Sequence, residues 1–378
     1  MRFIGSKERL LPVIEEAWQR FVGPGVFTVG DLFCGTAAVS RLFKRLGNMV
    51  VANDNLRLGY VFGQAALSIN EEPLFAGVFE TGQIPRVPET SLCPTPYDLV
   101  LAHLNEIPGE DGFFFREYSP GGTRHAQFER MYFSDRNARK IDAVRNRIWR
   151  WKEAGGLSEP EFCLLLSDLM RATNRVANIA GTYGCFIKRW DARARRPLHL
   201  ERSPIIRSPF QHRVFCEDAN AIVGRHDFDV LYLDPPYTWR HYGAYYHILE
   251  TISQGDEPVV SGRTGLRPWE DSKSRYCDRM GASQALRELV ACARTTHLFL
   301  SYNDEGLISQ DNILDILSTR GKPHCIEVGY PRYRSNSGGS KRNVLKERLY
   351  HVQVQHEAED RVGNHSAVLA HSAKQRTS

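Results

Sequence analysis

The chain has 378 residues and a mass of 43.1 kDa, with 42% hydrophobic and 25% charged residues. This excludes a wholly disordered chain and allows either two to three domains or one large domain with an insertion. A net charge of +5 leans mildly towards an anionic partner, and a mean hydropathy of -0.40 with no long apolar run argues against a membrane helix.

Charge arrives too early, at Arg2 and Lys7, for a signal peptide. The eight cysteines (34, 93, 163, 185, 216, 277, 292 and 325) form no Cys-x-x-Cys pair. Reduced thiols in a cytoplasmic protein are therefore expected, with neither a disulfide framework nor a zinc site.

In chain order, residues 6–21 read as an amphipathic helix, with Ser6 as N-cap, Pro12 in the first turns, and Leu10, Val13, Ile14 and Trp18 at helical spacing. Residues 26–33 read as a buried strand, 37–46 as a helix, and 49–54 as a second strand. Strand, tight turn, helix and strand within about 30 residues make a βαβ unit. Residues 57–210 are mostly helical in pattern, the longest helices being expected over 136–151 and 159–177. Strand character resumes at 213–216, 228–233, 297–301, 323–329 and 349–354. The predicted organisation is an α/β domain over 1–56 and 212–355, a helical insertion over 57–211, and a disordered polar tail over 356–378.

Three constellations carry chemistry. In Asp31-Leu32-Phe33-Cys34-Gly35-Thr36-Ala37-Ala38 a carboxylate ends a strand and a small-residue turn opens a helix. Open α/β sheets bind ligands at such strand ends, and Gly35 permits close backbone approach. The turn lacks Gly-x-Gly-x-x-Gly, which argues against a pyrophosphate grip. Asp54 ends the second strand, the usual place for a partner of ribose hydroxyls. Together these suggest an adenosine-containing cofactor without pyrophosphate, although ordinary βα turns also carry such residues.

The third is Asp234-Pro235-Pro236-Tyr237, after the strand at 228–233. Two prolines fix the backbone and remove two donors. The Asp234 carboxylate and the Pro235 carbonyl become neighbouring acceptors beside the Tyr237 ring. That set suits a planar ring bearing an amino group: the acceptors take both N–H bonds and free the nitrogen lone pair for attack. A rigid Asx-Pro turn is the bland alternative.

These residues resemble the D12 class of DNA adenine N6-methyltransferases, most closely the branch of FokI-type modification enzymes. The resemblance spans residues 1 to about 353. It rests on Arg2-Phe3-Ile4-Gly5-Ser6-Lys7, the turn at 31–36, Asn53-Asp54-Asn55, Glu217-Asp218-Ala219, the tetrapeptide at 234–237, residues 242–251 and Ser301-Tyr302-Asn303. It implies a Rossmann-like class I methyltransferase sheet with a largely helical target-recognition insertion. S-adenosyl-L-methionine is the implied cofactor, framed by Phe3, Ser6, Lys7, Asp31, Phe33, Cys34, Gly35, Thr36, Ala37, Asp54, Asn55, Asp218 and Ala219. Asp234, Pro235, Pro236 and Tyr237 are the implied catalytic residues, and no metal is required. The implied substrate is double-stranded DNA, in a restriction-modification or related system that can include a cognate endonuclease. Ala37 stands where many relatives carry a second glycine, which leaves the cofactor's detailed pose open.

Charge agrees with an anionic polymer. Arg189, Arg193, Arg195 and Arg196 belong to a basic run over 188–213, Arg136 and Lys140 lie on one predicted helix face, and Arg332, Arg334 and Lys341 punctuate a Gly/Ser-rich loop. All suit phosphate contacts, and all could equally be solvated surface. Trp239 and Tyr242 are candidates to line the pocket of a flipped base or fill its vacated stack. Tyr245 and Tyr246 are expected to pack, and His241 is a weak candidate base. The rival readings are a cytosine N4-methyltransferase and a non-catalytic DNA-binding or specificity subunit.

Overall fold

Seven strands form one sheet in the computed structural model, which describes residues 3, 5–84, 94–331 and 344–355. They are β1 (Thr28–Asp31), β2 (Met49–Asn53), β3 (Arg213–Phe215), β4 (Asp227–Leu233), β5 (Arg294–Asn303), β6 (Pro323–Pro331) and β7 (Val344–Gln353). Arg2, Ile4, Arg332, Arg334, Lys341 and the tail at 356–378 lie outside the described residues.

The spatial order is β3-β2-β1-β4-β5-β7-β6. Strands β1 to β5 are parallel, and β7 lies antiparallel between β5 and β6. From β1 the chain winds one way to β2 and β3, then returns to the other side for β4 and β5. β1 and β4 therefore flank the switch point, where the carboxyl ends of strands open a crevice.

Side-chain alternation explains why both faces are covered. On β4, Val230 and Tyr232 join one cluster with Ile14 and Trp18 of α1 (Leu11–Phe21) and Leu42 and Phe43 of α2 (Ala38–Arg45). Leu231 and Leu233 join the opposite cluster with Leu286 and Leu289 of α13 (Ala282–Cys292) and Ile313 and Ile316 of α14 (Gln310–Ser318). All twelve side chains are nearly inaccessible. Each is worth about 1.5–3 kcal/mol relative to exposure.

Between β2 and β3 run α3 (Arg57–Leu67), α4 (Ala76–Glu80), α5 (Pro96–Glu106), α6 (Phe113–Tyr118), α7 (Pro120–Thr123), α8 (Asp135–Glu153) and α9 (Glu159–Val176). After β3 come α10 (Ala219–Ile222), α11 (Tyr242–Tyr245) and α12 (His247–Gln254). The two expected long helices are α8 and α9. Ser134 caps α8 through Asn137 N, and Ser158 and Glu161 form a capping box on α9. Ile141, Val144 and Ile148 make the buried face of α8. The core of these helices also takes in Val61 and Phe62 of α3 and Ile248, Leu249 and Ile252 of α12. α3 packs in turn on β2 and β3.

The N-terminus differs from the predicted single helix. Lys7–Arg9 is a 3-10 turn, and α1 starts only at Leu11, with Pro12 in its first turn. Proline cannot donate to an earlier carbonyl, so a helix begins at it rather than passing through it. Ser6 makes no side-chain cap hydrogen bond. The separate turn leaves Lys7 buried beside the strand ends.

Candidate active site at the carboxyl ends of the strands

The ends of β1, β2 and β4 converge on an open cavity of about 880 Å³. Phe3, Phe33, Gly35, Asp54, Asn55, Asp218 and Ala219 line it together with Asp234, Pro235, Pro236, Tyr237 and Tyr242. A smaller recess of about 310 Å³ lies under the β1 turn, bounded by Ser6, Lys7, Asp31, Cys34 and Thr36. Phe3, Phe33, Gly35 and Asp234 border both spaces.

The β1 turn is held by backbone geometry. Gly35 has a φ of +50°, and its N–H donates to Asp54 Oδ2 at 2.8 Å. Asp54 Oδ1 accepts from Leu56 N at 2.9 Å. The end of β2 therefore clamps the turn after β1. Ala37 lines neither space. It is buried at the N-cap of α2 with φ 56° and ψ 30°, a left-handed conformation. A glycine there would relieve backbone strain, since L-residues pay roughly 1–2 kcal/mol in that region.

Asp234 follows β4 directly. Pro235 and Pro236 carry it into the cavity without adding donors, and Leu307 N holds the Tyr237 carbonyl at 2.9 Å. Lys7 Nζ approaches Asp234 Oδ1 to 3.0 Å and Glu347 Oε1 to 2.5 Å. The approach to Asp234 pairs the ammonium with Oδ1, a buried oxygen with no other partner among the described residues. Lys7 also stands 5.4 Å from the Tyr237 ring centroid.

Burial dominates the electrostatics. It pushes the Asp234 carboxyl up to about 7 against the opposing pull of Lys7. Asp31 rises to about 7, chiefly by burial, although Ser40 Oγ donates to its Oδ2 at 2.5 Å. Its buried Oδ1 has no hydrogen-bond partner. Asp54 rises to about 6, again by burial, with the backbone donors at Leu56 and Gly35 restraining it. Asp218 is exposed and caps α10 through Asn220 N and Ala221 N.

The aromatic candidates divide. Trp239 is 67% exposed and lines neither space, with the Arg240 guanidinium 5.4 Å from its ring. Tyr242 and Tyr246 both stack on Phe3, with centroids 6.1 and 4.0 Å away. Tyr246 is fully buried and packs, as expected, and Tyr245 is half-buried. His241 reaches the cavity rim beside Trp269, its pKa lowered by burial.

The basic candidates divide too. Arg136, Arg189, Arg195 and Arg196 are exposed. Lys140 instead donates to the carbonyls of Asn105 and Ile107 at the end of α5, and Arg193 pairs with Asp191 at 3.0 Å. These two charges serve the protein's own loops, so neither is a free phosphate contact here.

Several cavity residues escape sequence reading. Ser272, Ser274, Tyr276 and Cys277 arrive from the segment between α12 and α13. Tyr276 meets Phe33 edge-on at 5.1 Å and donates to Asn220 Oδ1 at 2.7 Å. Glu347 comes from β7 and accepts from Ser301 Oγ and Asn303 Nδ2, each at 3.2 Å. The Ser301-Tyr302-Asn303 motif was the only signal near it. Among the described residues no His/Cys/Asp/Glu group could hold a metal ion, and no helix is long and apolar enough to cross a membrane.

A mixed sheet of five parallel strands and an antiparallel β6–β7 edge, with acidic strand ends around a switch-point cavity and one of them opening a Pro-Pro-Tyr segment, defines the class. The family model for D12 class N6 adenine-specific DNA methyltransferases matches residues 3–316, and the chain belongs to that family. It is 35% identical to the type II methyltransferase M.FokI of Planomicrobium okeanokoites and 34% identical to the modification methylase StsI of Streptococcus sanguinis. Each match covers 93% of this chain and 52% of the relative, so the chain spans about half the length of those two proteins. The type II methyltransferase M.NlaIII of Neisseria lactamica is 33% identical over 94% of this chain and 98% of its own length.

Proposed function

We propose that this chain is a site-specific DNA methyltransferase that modifies adenine N6 in double-stranded DNA with S-adenosyl-L-methionine, within a restriction-modification or related system. The observation that carries the reading is Asp234 at the end of β4, lining one cavity with Pro235, Tyr237, Phe33 and Asp54.

The residues fit the cofactor. It is cationic at sulfur and at its α-ammonium, and the two spaces are bordered by Asp31, Asp54, Asp218 and Asp234. The orphan Oδ1 of Asp31 suits an ammonium donor in the smaller recess. Asp54, beside the cavity, suits a ribose diol, and Phe33 with Tyr276 offers aromatic faces. When bound, S-adenosylmethionine would supply an electrophilic methyl group on its positive sulfur.

This chain's residues do the rest. Asp234 and the Pro235 carbonyl accept hydrogen bonds from the two amine N–H groups, Tyr237 lies against the base, and the one proton lost as the N–CH3 bond replaces the S–CH3 bond passes through Asp234 to solvent. The nitrogen lone pair is then directed away from the ring. Asp234 accepts most strongly when ionised. Its carboxyl sits at about 7, so activity falls as pH drops through about 7 and is fully present above it. Trp239, Tyr242 and the exposed arginines 136, 189, 195 and 196 would face the DNA, and 57–211 would carry target recognition.

The test incubates the protein with S-adenosylmethionine and unmethylated plasmid, then identifies nucleosides by mass spectrometry. N6-methyldeoxyadenosine that disappears in Asp234→Ala supports the reading. N4-methyldeoxycytidine would replace it with the cytosine alternative, and full methylation by Asp234→Ala would end the mechanism.

A further inference from the structure

Lys7 is buried between two carboxylates and contacts them unequally. Its shorter contact, 2.5 Å, is to Glu347, on the antiparallel strand β7. Its approach to Asp234, 3.0 Å, is to the buried Oδ1. Glu347 cannot drift, because Ser301 holds its Oε1 and Asn303 its Oε2, both from neighbouring β5. We propose that Glu347 is a positioning residue for methyl transfer: it anchors the Lys7 ammonium on the buried Oδ1 side of Asp234, close enough to neutralise the carboxylate, and so leaves Oδ2 to the acceptor amine.

The physical need follows from what surrounds Asp234. Lys7, Asp31, Tyr232, Tyr237, Tyr242 and Glu347 face it from the N-terminal turn, β1, β4, the Pro-Pro-Tyr segment, α11 and β7. Lys7 is the only cation in that set. Without it, a carboxylate buried beside Asp31 and Glu347 would hold its proton at neutral pH. With Lys7 but no second anion, the ammonium would be free to move across to Oδ2 and occupy the lone pair that an amine N–H requires. Two anions sharing one cation meet both demands. Burial works to lower the Lys7 pKa, but Asp234 and Glu347 together hold it well above the usual lysine range, so the cation persists.

The proposal rests on the reading of Asp234 as the amine acceptor, and the test separates the two. Carboxyl ¹³C titration of aspartate-labelled protein, with Asp234 assigned from Asp234→Asn, reads its midpoint without any activity. Glu347→Gln removes an anion and lowers the midpoint by about one pH unit, whereas Lys7→Met raises it by about as much. The acid limb of kcat for DNA methylation moves in the same two directions. Glu347→Gln also lowers kcat about tenfold, while the KM for the cofactor stays within about twofold. If Glu347→Gln fails to fold, Glu347→Asp withdraws the carboxylate by one methylene and gives a smaller downward shift. Midpoints that stay put, or move the same way in both variants, overturn the proposal. Opposed midpoints in a protein that methylates no DNA keep the anchor and remove the functional reading instead.

Discussion

Asp142 and Asp168 lie fully buried among the helices between β2 and β3, and Asp31, fully buried, and Asp234, largely so, lie at the end of the sheet. Burial raises all four, Asp142 to about 6 and the other three to about 7. Their hydrogen bonding differs. Asp142 accepts from Phe114 N and Phe115 N at 2.8 Å each, which caps α6. Asp168 accepts from Tyr97 Oη and from Ser203 Oγ. Every oxygen of that pair is used. Asp31 keeps a buried Oδ1 with no donor, and Asp234 Oδ1 meets only the Lys7 ammonium that it shares with Glu347. A raised pKa is thus shared by a structural carboxylate and a functional one, and the unused lone pair tells them apart.

That contrast can be broken or sharpened by substitution. The largest effect belongs to Asp234→Asn. It trades an acceptor for a donor at one carboxylate oxygen, and single-turnover methylation should fall at least about 10³-fold with little change in the urea midpoint. A large loss of stability in this variant would place Asp234 with the structural pair. Asp168→Ala should do the reverse. It strands the Tyr97 and Ser203 hydroxyls, so urea unfolding should show a loss of about 3 kcal/mol, with methylation per folded molecule nearly unchanged. An activity loss without a stability loss would erase the distinction. Asp31→Asn should act on affinity alone, weakening cofactor binding about tenfold by calorimetry, or roughly 1.4 kcal/mol. The smallest expected effect is Ala37→Gly, which relieves a left-handed residue outside the cavity. It should raise stability by about 0.5 kcal/mol and leave cofactor affinity alone.

Much of this was legible in the sequence because it is local. A βα turn needs a small residue at positive φ, and Gly35 supplies it. Two prolines after a buried apolar strand announce a fixed acceptor segment at 234–237. The apolar spacing of Ile141, Val144 and Ile148 marked the core face of α8. The basic residues were less legible, because composition cannot tell an arginine aimed at solvent from one holding a loop. Lys140 and Arg193 were such cases.

The sequence by itself determined the alternation of strands and helices, the acidic strand ends and the Pro-Pro-Tyr segment, since each depends on neighbours a few residues apart. Only the tertiary structure decided which of these meet. β7 inserts antiparallel beside β5, and that register carries Glu347 to Lys7, 340 residues away along the chain. The segment between α12 and α13 brings Ser272 and Tyr276 to the cavity wall for the same reason. Strand order and crossover direction are set by packing across the whole sheet, and no local preference encodes them.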